Sequence, residues 1–461
     1  MQFAPHTVRD LEDMLSVVLE DRGMADAAAD GLEALFAHIP ASLRLDRPLA
    51  LPAGRSEDEV LTALTGLAER NATAAVCFAG GGAYDHYVPA VVGALLSRGE
   101  LLTAYTPYQP EVSQGLLQAL FEYQTVISEL TGLPVSNASL YDGGSAVAEA
   151  VAMACAATRR QGVVLSLGLD APSRSVVATY SAPLGRRVDE RPYNPRSGRT
   201  PTEGPDRGAG DIACVVLQQP NALGVVEDVR AHAEAAHAAG AKLIVKWDPT
   251  AAGLLATPGS QGADLVVGEG QGLGQGLCYG GPTFGFLACT DDQVRRIPGR
   301  IVGRTVDTAG RTGYVMTLRA REQDIRREKA TSNICTNQTL NALAALIYVS
   351  WLGPQGLTEL AHACLSRATA ALQRLTAVDG VERAVDGPVF KEFAIRVPGD
   401  PHAAVAALHA EGYLVGPVLA DGPAAGAVLV ALTERRTAAE VEGLARALER
   451  HLATAADAEV A

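Results

Sequence analysis

The chain has 461 residues, about half of them apolar and a fifth charged, which is the composition of a globular protein and excludes a disordered or low-complexity one. Its net charge of −14 argues against a nucleic-acid binder, because affinity for phosphate backbone comes from clustered Lys and Arg. The length exceeds the roughly 250–300 residues at which one core stops growing, so a large and a smaller domain are expected.

In chain order, residues 1–75 read as a helical arm. "GLEALFAHIPASLRL" has helical apolar spacing up to Pro40, and "SEDEVLTALTGLAERN" opens on a capping box of Ser56 and Glu59. From 76 to 337, short apolar runs alternate with helical segments. "GVVLSL", "SVVATY", "IACVVLQQP", "KLIVKWDP", "DLVVGEG" and "GFLACT" read as strands, and "VRAHAEAAHAAG" as a helix ended by Gly240. This alternation predicts an α/β domain with a mostly parallel sheet and active groups at the carboxyl ends of its strands. Residues 192–210, rich in Pro and Gly, read as an exposed loop.

"NQTLNALAALIYVSWLGPQG" is a helix stopped by Gly353 and Pro354, and 338–461 then reads as a small α+β domain. Its strands are "FKEFAIRVP" and "GAVLVALTE", and its helices are "PHAAVAALHAEG" and "TAAEVEGLARALERHL". The last helix opens on Thr437 and Glu440 and carries Val441, Leu444, Leu448 and Leu452 as its apolar stripe. No run of about 18 apolar residues suggests a membrane span and no leader pattern is evident, so a cytoplasmic protein is expected. The seven cysteines are scattered without a CxxC pair and the nine histidines lack ligand spacing, which supports free thiols rather than a metal site.

Five stretches carry chemical potential. "CFAGGGAYDHYVP" sets Tyr84, Asp85 and His86 behind a triple glycine, as either a pinned turn or an acid-base loop. Gly143, Gly144 and Ser145 open an Ala-rich helix, as either a capped start or a phosphate cradle. Asp248 ends an apolar strand, where it either caps a turn or faces a protonated ring nitrogen. Ser332, Asn333, Cys335 and Thr336 stand ahead of a helix as either a linker or a pocket wall. "TAYTPYQPEVSQG" concentrates Tyr105, Tyr108, Gln109 and Glu111, a structured polar surface facing a site or a partner. Only four of the 38 basic residues are lysines: Lys242, Lys246, Lys329 and Lys391. Strand alternation puts Lys246 on the face of Asp248, where an ion pair with a nearby carboxylate is favoured over a catalytic amine.

"AYDHYVPAVV", "TAYTPYQPEVSQG", "FEYQT", "NASLYDG", "GADLVVGEGQ", "PGRIVGRTVD" and "AREQDIRREKATSNICTNQ" together resemble the N-terminal half, or separate subunit 1, of the decarboxylating glycine dehydrogenase, the P-protein of the glycine cleavage system. The resemblance spans nearly the whole chain. It implies a type I PLP-dependent transferase fold, of aspartate-aminotransferase architecture, and a partner subunit 2 that holds PLP on a lysine of a His-Lys motif. Here Gln271 and Gly272 stand at the corresponding place, so this chain is not expected to hold PLP covalently. Gly143, Gly144, Ser145, Asp248, Gln271 and Gly272 are then a vestigial cofactor site. Tyr84, Asp85, His86, Tyr105, Tyr108, Gln109, Glu111, Ser332, Asn333, Cys335 and Thr336 are implied to line a pocket shared with the partner. The implied reaction is glycine decarboxylation, with the aminomethyl group passed to the lipoyl arm of the H-protein.

The sequence departs from the family pattern at Ala222 and Leu223, at Lys246 and Trp247, and at Cys278. These departures leave open a specialised paralogue acting on another amino-acid-derived substrate with a diverged partner. A non-catalytic scaffold subunit is a third reading.

Overall fold

The structure, a computed structural model, describes residues 36, 38–71, 76–202 and 209–460. In the N-terminal unit, helix α1 (Glu57–Ala68) begins at the expected capping box: Ser56 Oγ accepts from Glu59 N, and Glu59 Oε2 accepts from Ser56 N at 2.8 Å. The helix expected from residue 31 lies largely outside the described residues. A short 3-10 turn, Ala41–Leu43, follows Pro40.

The second unit, residues 74–461, is built on a seven-stranded sheet. Its strands are β1 (Val135–Ser136), β2 (Gly162–Ser166), β3 (Arg187–Arg191), β4 (Ile212–Gln219), β5 (Lys242–Trp247), β6 (Leu265–Glu269) and β7 (Gly285–Cys289). They lie in the order β1-β7-β6-β5-β4-β2-β3, and β7 alone runs against the rest. Their runs of Val, Ile and Leu are buried on both faces, as a sheet covered by helices requires. Leu243, Val245 and Trp247 pack towards α2 (Gln114–Thr131), while Ile244 packs on the other side against α3 (Gly143–Thr158). The indole of Trp247, one of the departures, is 1% exposed and donates Nε1–H to Leu130 O at 3.1 Å. Leu223, another, is buried in a separate cluster with Val225 and Leu429.

Two sequence expectations are corrected and a third is met. "SVVATY" is not a strand but part of helix α4 (Ala171–Ser181). Asp170 accepts from Ser173 N at 3.0 Å and Pro172 sits in the first turn, so a strong helix start overrides the β-branched run. As expected, Gly353 and Pro354 stop the helix: in the run Thr339–Leu375 (α5) Gly353 takes the non-helical φ +63°, ψ −179°, and Pro354 opens a second helical stretch. The 192–210 loop is not wholly exposed, because Tyr193 and Thr200 are buried. Tyr193 Oη accepts from Ala424 N at 3.0 Å, and Thr200 Oγ1 donates to Glu227 at 2.8 Å.

A smaller antiparallel sheet joins Glu382–Arg383, Glu392–Arg396 and Val428–Ala431. Helix α6 (Ala438–Val460) covers it with Val441, Leu444 and Leu448. Val76–Cys77 pairs in parallel with Tyr413–Leu414, which buries Phe78 in this cluster and delivers the following loop to the ends of β5 and β6. No helix among the described residues is long and apolar enough to cross a membrane. Trp247→Ala should lower stability by about 3–5 kcal/mol and Trp247→Phe by less. Urea unfolding checks this, and equal losses for the two would argue against a packed indole.

Candidate functional site

Apolar strand β5 carries Asp248 past its carboxyl end. There Oδ1 accepts from Thr250 N at 3.0 Å and Thr250 Oγ1 at 2.7 Å, the turn-capping role. Its other oxygen meets Lys391 Nζ at 2.6 Å. Lys391, 2% exposed, also reaches Thr250 Oγ1 at 3.0 Å and His86 Nε2 at 3.2 Å, and stands 3.8 Å from the centre of the Tyr84 ring. Burial opposes ionisation of Asp248, but the Lys391 ammonium outweighs it and holds the carboxyl below the usual carboxylate range. A buried lysine needs such partners. The sequence reading counted Lys391 only among the four lysines; the signal available was a lysine inside the apolar run "VFKEFAIRV".

The glycine loop closes over this pair. Gly81 N donates to Glu392 Oε1 at 2.6 Å and Tyr84 Oη to Glu392 Oε2 at 3.1 Å. A Cβ at Gly80 would stand 1.8 Å from the same carboxylate, so this approach requires glycine. Burial pushes Glu392 up to about 7. Because Lys391 donates to His86 Nε2, the imidazole carries its proton on Nδ1, facing Glu434 Oε2 at 2.7 Å. Burial and the adjacent Lys391 charge hold His86 below its ordinary value. Asp85 pairs with Arg435 and with Arg436, the latter at 3.1 Å. Tyr84, Asp85 and His86 thus pin the loop and join the group around Asp248. Cys364 brings a thiol to His86 and Glu434, three ligand-type atoms within 4.8 Å, but the Lys391 ammonium on the same imidazole opposes a cation there.

The start of α3 is likewise taken. Asp142 Oδ1 accepts from Ser145 N at 2.7 Å, and Glu269 Oε2 accepts from Gly143 N at 3.0 Å. Burial raises the Glu269 carboxyl. Gln271, beside Gly272, accepts from Tyr84 N at 2.8 Å and donates to Tyr84 O at 3.0 Å. Lys246 pairs with Asp170 and donates to Ser173 Oγ at 3.0 Å, so it is the paired structural residue expected.

These residues do not fit PLP. Two carboxylates hold the N–H groups a phosphate would use, an ammonium holds the carboxylate a ring nitrogen would use, and an amide stands in place of an amine. The cavity beside Asp248 and Lys391 is about 40 Å³, far below the roughly 300 Å³ of an ordinary ligand pocket. A neighbouring cleft of about 310 Å³ faces Asp142, Asp170 and Glu269 with only the already paired Lys246 to balance them, which repels a phosphate.

A second group gathers around Arg300, which the sequence reading did not single out. Arg300 donates through Nη2 to Tyr108 Oη at 2.9 Å and to Cys335 O at 2.8 Å, and through Nη1 to Glu322. Cys335 N donates to the Tyr141 hydroxyl oxygen at 3.0 Å, and Asn333 O accepts from Gln323 at 2.9 Å. Ser332 Oγ accepts from Ile334 N at 3.1 Å and also bonds the buried Glu149, which burial pushes up to about 7. Thr336 Oγ1 is buried without a partner among the described residues. Tyr105 is 67% and Tyr108 47% exposed, and Gln109, Glu111, Asn333 and Cys335 are exposed as well. Tyr108 and Cys335 are therefore brought together, and Tyr105, Gln109 and Glu111 flank them on an open surface.

The sequence profile of the family described as "Glycine cleavage system P-protein" matches residues 11–448. A protein of Desulforamulus reducens named probable glycine dehydrogenase (decarboxylating) subunit 1 is 46% identical over 453 residues, covering 97% of this chain and 99% of its own. The protein of the same name from Moorella thermoacetica is 46% identical over 461 residues, covering 98% and 100%. A crystal structure of glycine decarboxylase (P-protein) of the glycine cleavage system, in inhibitor-bound form, superposes with a TM-score of 0.88 at 44% identity over 98% of this chain and 100% of that one. A NifS-like protein, 12% identical with a TM-score of 0.60, shares the fold alone.

Lys391→Met leaves Asp248 charged and unpaired, an expected loss of about 3–5 kcal/mol, and adding Asp248→Asn should restore most of it. Urea unfolding of both singles and the double decides this: a strictly additive double would sink the pairing. Glu392 gives a pH effect of defined sign. Between the unfolded carboxyl value near 4.3 and about 7, the folded chain keeps a proton that the unfolded chain releases, so stability falls as pH rises. Glu149 adds a second contribution of the same sign. Glu392→Gln should flatten the slope of melting temperature between pH 5 and 7, and an unchanged slope would count against the raised carboxyl.

Proposed function

The chain belongs to the glycine cleavage system P-protein family, and from that premise we propose that it is subunit 1 of a glycine decarboxylase, the half that lacks the cofactor lysine. Its fold is that of the type I PLP-dependent enzymes. The observation that carries the reading is the Lys391–Asp248 pair at the strand end where this fold receives the cofactor ring, with Gln271 in the lysine's place. A chain so filled acts through a partner. That partner is a subunit 2 carrying PLP, which supplies the electron sink for decarboxylation when bound there.

This chain contributes a wall. Tyr105, Tyr108, Gln109, Glu111, Asn333 and Cys335 present hydroxyls, amides and a carboxylate on its surface, with Ser332 and Thr336 half-buried among them, the inventory that orients a small amino acid and excludes water once a second chain covers it. The departures leave this wall intact: Trp247 and Leu223 are in the core and Lys246 is paired. Glycine is the substrate, and the aminomethyl group passes to the lipoyl H-protein.

Incubated with PLP and reduced with borohydride, the purified chain is expected to carry no lysine adduct. Co-purified with a subunit bearing the His-Lys motif, it should support CO2 release from carboxyl-labelled glycine in the presence of lipoylated H-protein, with neither chain active alone. An adduct on Lys246 or Lys391, or full activity of the partner by itself, would overturn the reading.

A further inference from the structure

Segments 103–109 and 330–338 are irregular, far apart in sequence, and neither belongs to a sheet. Two loops of this kind open independently unless something ties them. Among the described residues, one guanidinium bonds both segments. Arg300 lies between β7 and the hairpin Val302–Val306/Thr312–Met316, is 5% exposed, and bonds Tyr108 Oη and the Cys335 carbonyl through the same nitrogen. Its other terminal nitrogen is anchored on Glu322, itself 9% exposed. The Tyr108 ring lies against two guanidiniums, 5.2 Å from that of Arg300 and 5.5 Å from that of Arg319.

Resting on the reading above, we propose that Arg300 is a positioning residue that fixes the spacing of the two walls, Tyr108 on one side and Cys335–Thr336 on the other, before the partner docks. A planar fork can hold a hydroxyl, a carbonyl and a carboxylate in one geometry. An ammonium is a single point charge and cannot span all three. Arg300 Nε, Glu322 Oε1 and Thr336 Oγ1 are buried without partners among the described residues, so the cluster is held in place with polar capacity still to be met.

Hydrogen exchange on the purified chain tests the clamp apart from the activity. Arg300→Lys keeps a cation for Glu322, and Tyr108→Phe removes one arm without burying a charge. Both are expected to speed amide exchange across 333–337 about three- to tenfold, the loss of roughly one net hydrogen bond, and to leave β4 to β6 unchanged. The telling result is that a change at Tyr108 reaches 333–337. If exchange there is unchanged in both variants, the clamp is wrong. In the reconstituted two-subunit enzyme, Arg300→Lys should lower kcat about tenfold with a smaller change in KM. Faster exchange with unaltered kcat would leave the clamp standing and overturn the assignment of these segments as walls of the reacting site.

Discussion

A lysine and an aspartate from opposite ends of the fold meet in a buried contact, and the arrangement around the strand ends depends on it. Asp248 leaves the central strand of the large sheet, and Lys391 enters the first long strand of the small one. Neither charge is tolerable alone in that position. Each needs the other and the hydroxyl of Thr250 to offset lost hydration. Since Lys391 also faces His86 and the Tyr84 ring, the same ammonium draws the glycine loop over the strand ends. Glu392, next along the chain, repeats the pattern with the opposite sign by accepting from Gly81 and Tyr84.

The crevice at the carboxyl ends of parallel strands is where open α/β sheets receive ligands. Here the chain's own atoms fill the part beside Asp248 and leave an acidic cleft of about 310 Å³ next to it. The helix start that would take an anion holds Glu269 and Asp142, the strand-end carboxylate holds an ammonium, and Gln271 holds the backbone of Tyr84 in both directions. Around Tyr108 and Cys335, by contrast, Tyr105, Gln109, Glu111 and Asn333 are exposed and Thr336 Oγ1 is buried without a partner among the described residues.

How much of this could be read from sequence follows from what each residue depends on. Strands such as "IACVVLQQP" and "KLIVKWDP" were legible because burial on both faces demands unbroken apolar runs, and Ser56/Glu59 because a capping box is local. "SVVATY" misled because its β-branched run is overruled by a cap just upstream. Asp248, Gln271 and Gly143 could be singled out from sequence, yet the side chains that meet them could not, since Lys391 and Glu269 approach from other elements. Arg300 was hidden for the same reason: its meaning lies in three partners from three segments.

The remaining question is whether any lysine here is a nucleophile. A reactive amine must be neutral, which requires desolvation without a carboxylate at hand, or a neighbouring positive charge. The sheet lysines have the opposite surroundings. Lys246 faces Asp170, whose carboxyl the ammonium holds low against the effect of burial; Lys391 faces Asp248 in the same manner; Lys242 meets Asp264 at 2.7 Å. Each amine thus has a carboxylate at hand rather than an apolar or cationic setting. The glutamine at position 271 and the carboxylates beside Lys246 and Lys391 are the features on which the proposed dependence on a partner's lysine rests.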